Sequence, residues 1–163
     1  MLSKPVQDAI NNQIQKELES AYLYLGMAAH FDANNLPGFA RWMRKQFEEE
    51  QGHAFKFYEY VYDQRGEVTL QPIAAPTGKF GKPSEIFQQV LAHEQKVTAS
   101  IKAIYELALK EGDQATQIRL QWFLTEQVEE EKNAADIIEQ LKMSGDLGFG
   151  LLFLDQHVLG SRK

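Results

Sequence analysis

Four long segments of the chain carry apolar residues at steps of three and four, and one glutamate interrupts each stripe near its midpoint. The first stripe runs Ile10, Ile14, Glu17, Ala21, Tyr24 and Ala28. The second runs Met43, Phe47, Glu50, Ala54, Phe57 and Val61, with His53 one turn beyond Glu50 on the same side. The third runs Phe87, Val90, Glu94, Val97, Ile101, Ile104 and Ala108, and the fourth Phe123, Gln127, Glu130, Ala134, Ile137 and Leu141. A carboxylate on an apolar helix face is costly unless a cation meets it. Each glutamate taken alone reads as a rim residue with its head in water. Four in register on four helices ask for a common explanation.

Proline, glycine and asparagine mark the helix ends. The first helix is predicted from about Pro5 to Asn34 and stops at Asn34-Asn35-Leu36-Pro37-Gly38. The second is predicted from about Pro37 to Arg65, the third from Pro83 to about Glu111, and the fourth from an Asp113 N-cap to about Ser144. Residues 67–82 lose the helical period; Glu67-Val68-Thr69-Leu70 reads as extended, and Pro72, Pro76, Gly78 and Gly81 break the remainder of the segment. Such a stretch is either a disordered linker or a crossover. Sixteen extended residues reach roughly 50 Å, and a helix of about 28 residues spans roughly 42 Å. The loop can therefore return the chain along the bundle and leave the second and third helices parallel. Residues 148–159 read as a short fifth helix, apolar on every side through Leu151, Leu152, Phe153, Leu154, Val158 and Leu159. Burial against other subunits is the expected reason, in preference to folding back on its own bundle. The prediction is one all-α domain over residues 1–163, with the bundle at about 5–144.

Composition removes several classes of function. Lysine and arginine number 17 against 23 acids, a formal charge of -6. No basic stripe is available to neutralise phosphates, so nucleic acid is not expected as a partner. With no cysteine, disulfides, iron–sulfur clusters and thiolate zinc sites are excluded. No signal peptide or transmembrane run is visible, so no membrane partner and a cytoplasmic location are expected. Serine and histidine are too sparse for a hydrolase triad.

Packing the four helices puts Glu17, Glu50, Glu94 and Glu130 at one level of the core. Four neighbouring carboxylates repel each other and lose hydration, at several kcal/mol per ion. They can take up protons or bind cations. With His53 they offer five ligands dominated by oxygen, a set that suits iron or manganese better than calcium or structural zinc. Two divalent ions offset four carboxylates, which predicts a dinuclear site bridged by Glu50. Within Glu48-Glu49-Glu50, Glu50 faces the core, Glu49 its edge and Glu48 the solvent. Glu131 is expected to point outward. Glu126 and Glu129 lie on an adjacent stripe with Trp122.

Several motifs together resemble bacterial non-haem ferritins over essentially the whole chain. They are Glu17 with Tyr24, Glu49-Glu50-Gln51-Gly52-His53, His93-Glu94-Gln95, and Trp122 through Lys132. The long central loop and the short apolar fifth helix match as well. The resemblance implies a ferritin-like four-helix bundle, a shell of 24 subunits storing ferric mineral, and a ferroxidase centre that oxidises Fe(II) with oxygen or peroxide. It implies Glu17, Glu50 and His53 as ligands of the first iron. Glu50, Glu94 and Glu130 would hold the second, with Gln127 beside it. Glu49, Glu126, Glu129 and Glu130 resemble a third iron site, and Tyr24 a nearby electron donor; Trp122 is either a second donor or a packing residue. Bacterioferritins carry a second Glu-x-x-His, where this chain has Gln127-Val128-Glu129-Glu130. They bind haem through a methionine whose place here is Gly52, so no haem is expected. A non-catalytic metal-binding shell is the main alternative. An oxygenase acting on an organic substrate is the weaker one, since no apolar channel is visible. His157 either lines a symmetry axis or caps the last helix.

Overall fold

The computed structural model describes residues 1–158. Helix α1 spans Lys4–Ala33, α2 Pro37–Asp63, α3 Pro83–Lys110, α4 Gln114–Ser144 and α5 Gly148–Phe153. The fold is all-α, with no strand among the described residues. Helix ends obey local chemistry. Pro37 and Pro83 open α2 and α3, where a missing N–H costs nothing. Gly112, at φ 68°, takes the left-handed turn that ends α3. Asp113 then caps α4, accepting from the Thr116 amide at 3.0 Å and the Thr116 hydroxyl at 2.6 Å. Tyr60 at the end of α2 meets the same hydroxyl at 2.9 Å, tying α4's start to α2's end.

The contacts of the central loop show its path. Asn11 donates to the Glu67 carbonyl, Gln15 to that of Pro72, and His30 meets that of Gly81. The loop thus ascends α1 from its first turns to its last, which is a crossover rather than a disordered linker. Contacts between α1 and α3 run in opposite order, Phe31 with Phe87 and Lys16 with Ser100, so α2 and α3 are parallel.

The apolar interior forms two clusters. One gathers Phe31, Phe39, Met43, Phe87 and Leu141 at one end, and the other Ile10, Phe57, Val61, Ile101 and Phe123 at the opposite end. Between them lies a buried polar layer of Gln13, Glu17, Ser20, Gln46, Glu50, His53, Glu94, Gln127 and Glu130.

The tail departs from expectation in two ways. The α-helix ends at Phe153, a wider π-type turn covers Leu154–Val158, and Leu159 lies outside the described residues. Leu151 and Leu154 also join the bundle's own core, correcting the expected burial by other subunits for this inner face. The reason is polar as much as apolar. Helix α2 has no capping side chain of its own, and buried Asp155 supplies one, accepting from the Phe39 amide at 2.8 Å. Gly38 permits the approach, because a Cβ there would sit 1.7 Å from the Asp155 carbonyl oxygen. Gly38→Ala is expected to lift the tail and destabilise the fold by about 2–4 kcal/mol in thermal unfolding, from overpacking plus the lost hydrogen bond. An unchanged melting curve would sink this account of the tail. Phe149, Leu152 and Phe153 stay exposed on the outer face. His157 donates a ring N–H back to the Phe153 carbonyl at 3.3 Å, the capping arrangement.

Candidate metal centre

The stripe positions bring Glu17 of α1 against Glu50 and His53 of α2. His53 Nδ1 lies 3.9 Å from Glu17 Oε2 and 3.6 Å from Glu50 Oε2. Small divalent ions bond oxygen and nitrogen at about 2.0–2.2 Å, so two donors on one ion sit up to about 4.4 Å apart. His53 has that spacing to both glutamates before any ion is placed. One donor atom from each residue lies within 4.8 Å of the others, the one such grouping found among the described residues.

The protein accounts for only part of this trio's burial: Gln13 donates to Glu17 Oε1 at 2.7 Å, and the Glu17 and Glu50 carboxyls interact with each other when one is protonated. Glu17 Oε2 and both Glu50 oxygens are buried without a hydrogen-bond partner. Burial, then the neighbouring Glu50 carboxylate, pushes Glu17 well above the usual carboxylate range. Burial, then Glu94, with smaller contributions from Glu130 and Glu49, does the same to Glu50. Glu94 and Glu130 therefore act on Glu50 from across the bundle. Orphaned carboxylate oxygens cost at least about 1–3 kcal/mol each, and a cation is the partner that removes that cost.

Glu94 and Glu130 are held differently. Glu94 accepts from the Tyr24 hydroxyl and, at 3.0 Å, from Gln127 Nε2. Gln46 Nε2 donates to Glu130 Oε2 at 2.8 Å. Burial, then the Glu94 charge, pushes the Tyr24 phenol well above its usual value, so it stays a neutral donor. Trp122 stands edge-on to His53 at 5.5 Å, with Lys56 over its ring at 4.5 Å.

Among the other acids, Glu49 and Glu126 are half-buried and Glu129 is exposed, all outside the trio. Glu131, expected to point outward, is half-buried and accepts from Thr98 at 2.6 Å. Glu48 is exposed. Sequence reasoning did not single out Gln13 and Gln46. Each sits four residues before a stripe glutamate on the same face, and that spacing was the available signal. It named His93 only within the His93-Glu94-Gln95 motif and passed over its partner Ser20. The Ser20 hydroxyl donates to the Lys16 carbonyl, so His93 Nε2 carries the proton and donates to Ser20 at 2.7 Å.

A crossover bundle whose core is cut by a carboxylate–histidine layer is an architecture in which carboxylate-rich metal sites are built. Known proteins narrow this class. A family model described as a ferritin-like domain matches residues 7–144. The bacterial non-haem ferritin of Bacteroides fragilis is 41% identical over 163 residues, covering 99% of this chain and 100% of that protein. That of Campylobacter jejuni is 35% identical over 158 residues, covering 97% and 95%. Among solved structures, an open pore ferritin from the hyperthermophilic archaeon Archaeoglobus fulgidus superposes with a TM-score of 0.97 at 42% identity, over the full length of both chains. The chain belongs to the ferritin family of iron-storage proteins.

Proposed function

We propose that this chain oxidises ferrous iron at a paired centre in its own bundle and stores the ferric product inside a shell of 24 copies. The observation that carries the reading is the trio of Glu17, Glu50 and His53, with three buried carboxylate oxygens that no protein group satisfies. In this proposal the trio takes the first ferrous ion, and Glu50, Glu94 and Glu130 take the second, with Gln127 alongside. Each ion gives up one electron. Oxygen accepts the pair and is reduced to the level of peroxide, or peroxide accepts it and is reduced to water. The carboxylates hold the added positive charge by Coulomb attraction in a poorly polarisable interior.

The two halves differ in a way that supports unequal affinity. At the first site only Glu17 Oε1 accepts a hydrogen bond, from Gln13, whereas Glu94 and Glu130 already accept hydrogen bonds from Tyr24, Gln127 and Gln46. An ion at the second site has to displace some of these, so it binds more weakly and leaves more readily. Tyr24, whose hydroxyl donates to Glu94, would supply a further electron in this reading. Glu49, Glu126, Glu129 and Glu130 would form a third iron site that relays iron onward. The whole chain acts as one domain, in the cytoplasm, without haem. No helix among the described residues is long and apolar enough to cross a membrane. The exposed outer face of the tail favours assembly with further copies.

An anaerobic Fe(II) titration, with the assembly sized by light scattering, tests this directly. Binding should saturate at two ions per chain on a shell-sized particle, and oxygen should then oxidise them far faster than iron in buffer. Binding with buffer-like oxidation would instead favour the non-catalytic metal-binding shell.

A further inference from the structure

We propose that Gln13 is a positioning residue for Glu17, set by a directed hydrogen-bond relay that begins at the surface ammonium of Lys16. The proposal rests on the iron-centre reading above and deepens it. Gln13 is fully buried in the polar layer. Its Nε2 donates to Glu17 Oε1 at 2.7 Å. Its Oε1 accepts from the Ser100 hydroxyl of α3 at 2.6 Å. Ser100 Oγ in turn accepts from Lys16 Nζ at 2.6 Å.

The chain of contacts has one direction. An ammonium group can only donate. Ser100 must therefore receive at its oxygen and pass its single proton on, and Gln13 Oε1 takes it. That fixes which end of the Gln13 amide is which, so the NH2 group faces Glu17 and never the carbonyl. The result is a sorting of the two Glu17 oxygens. Oε1 is held by the protein, while Oε2 is left buried, unpartnered and 3.9 Å from His53 Nδ1. Glu17 thus offers one oxygen to an ion, in a rotamer already set. Glu50 has no such neutral donor; its polar neighbours are the other proposed ligands, His53 at 3.6 Å and Glu17, which leaves its oxygens to a bridging ion. Groups that hold a ligand in place in this manner typically change metal affinity 10–100-fold.

Lys16 makes the proposal sharp, because two physical effects there have opposite signs. Removing a positive charge near a cation site strengthens cation binding by simple Coulomb reasoning. Removing the head of the relay releases Ser100 and Gln13 and weakens it. The experiment is an anaerobic Co(II) titration of the assembled full-length protein, following the visible absorption of the first equivalent. Gln13→Leu is expected to weaken that equivalent by about 10–100-fold. Ser100→Ala and Lys16→Met, both outside the apolar clusters, are expected to weaken it by a smaller factor. Lys16→Arg should restore it, and Ser100→Ala should add nothing on top of Gln13→Leu. First-equivalent affinity that is unchanged or tighter in both Ser100→Ala and Lys16→Met overturns the relay. Failure of the parent protein to bind Co(II) at all overturns the iron-centre reading instead, so the two failures are distinguishable.

Discussion

Replacing Glu50 with alanine is expected to abolish rapid ferrous oxidation while leaving the shell assembled. Glu50 is the residue both proposed sites share: it sits 3.6 Å from His53 Nδ1 and feels the charges of Glu94 and Glu130. Loss of a group that merely orients a ligand costs 10–100-fold, so loss of the bridging ligand should exceed about 100-fold in oxidation rate. The same position makes an opposite prediction for stability. In the metal-free protein both Glu50 oxygens are buried and unpartnered. Glu50→Gln keeps the volume and needs no proton to stay neutral when buried. It should stabilise the metal-free fold by on the order of 1–3 kcal/mol at neutral pH, the protonation cost that the buried acid carries there, measured by denaturant unfolding in chelator. A residue there for structure alone would lose stability when changed. Oxidation at parental rate in Glu50→Ala would remove Glu50 from the mechanism.

Much of this was legible in the chain because the helical period is strict. Glu17, Glu50, Glu94 and Glu130 could be placed at one level since each replaces an apolar residue on a stripe that had to face inward, and all four are buried. Pro37, Pro83 and the Gly112-Asp113 joint fixed helix ends to within a residue or two, because their backbone chemistry is local. What escaped depends on partners that sequence spacing does not name. Gln46 lies on α2 but serves Glu130 of α4. Ser100 and Thr98 look like ordinary boundary residues until α1 and α4 are packed beside them. The tail's inner face was misjudged because a segment apolar on every side does not reveal which side meets its own bundle. Asp155, an acid inside that apolar run, was the overlooked sign of a specific contact. Glu126 and Glu129 were visible as an acidic run, but their distance from the trio is a property of packing rather than of period.

Raising the pH is expected to destabilise the metal-free protein and to widen its gap in melting temperature from the metal-loaded form. Glu17 and Glu50 both lie well above the ordinary value of 4.5 in the folded state. Burial is the main cause for each, with the charge of Glu50 on Glu17 and of Glu94 on Glu50 next in size. The folded protein therefore keeps protons that the unfolded chain releases. Their contribution is complete below the unfolded value near 4.5, falls as pH rises, and is gone above the raised folded values. The slope reaches about 1.4 kcal/mol per pH unit for each group in that window. His93 tilts the other way, since burial holds it below its usual value of 6.5. Its effect is confined to pH below about 6.5, so the range above that isolates the carboxylates. A bound divalent ion replaces the protons and gains affinity as they leave. Melting curves from about pH 6.5 upward, in chelator and in excess Zn(II), test this. The metal-free midpoint should fall with pH, the loaded one should hold or rise, and the Glu17→Gln/Glu50→Gln double variant should be nearly flat in chelator. A metal-free midpoint that climbs across that range would mean the buried acids are already ionised and paired inside the protein, which would remove the physical reason for placing iron between them.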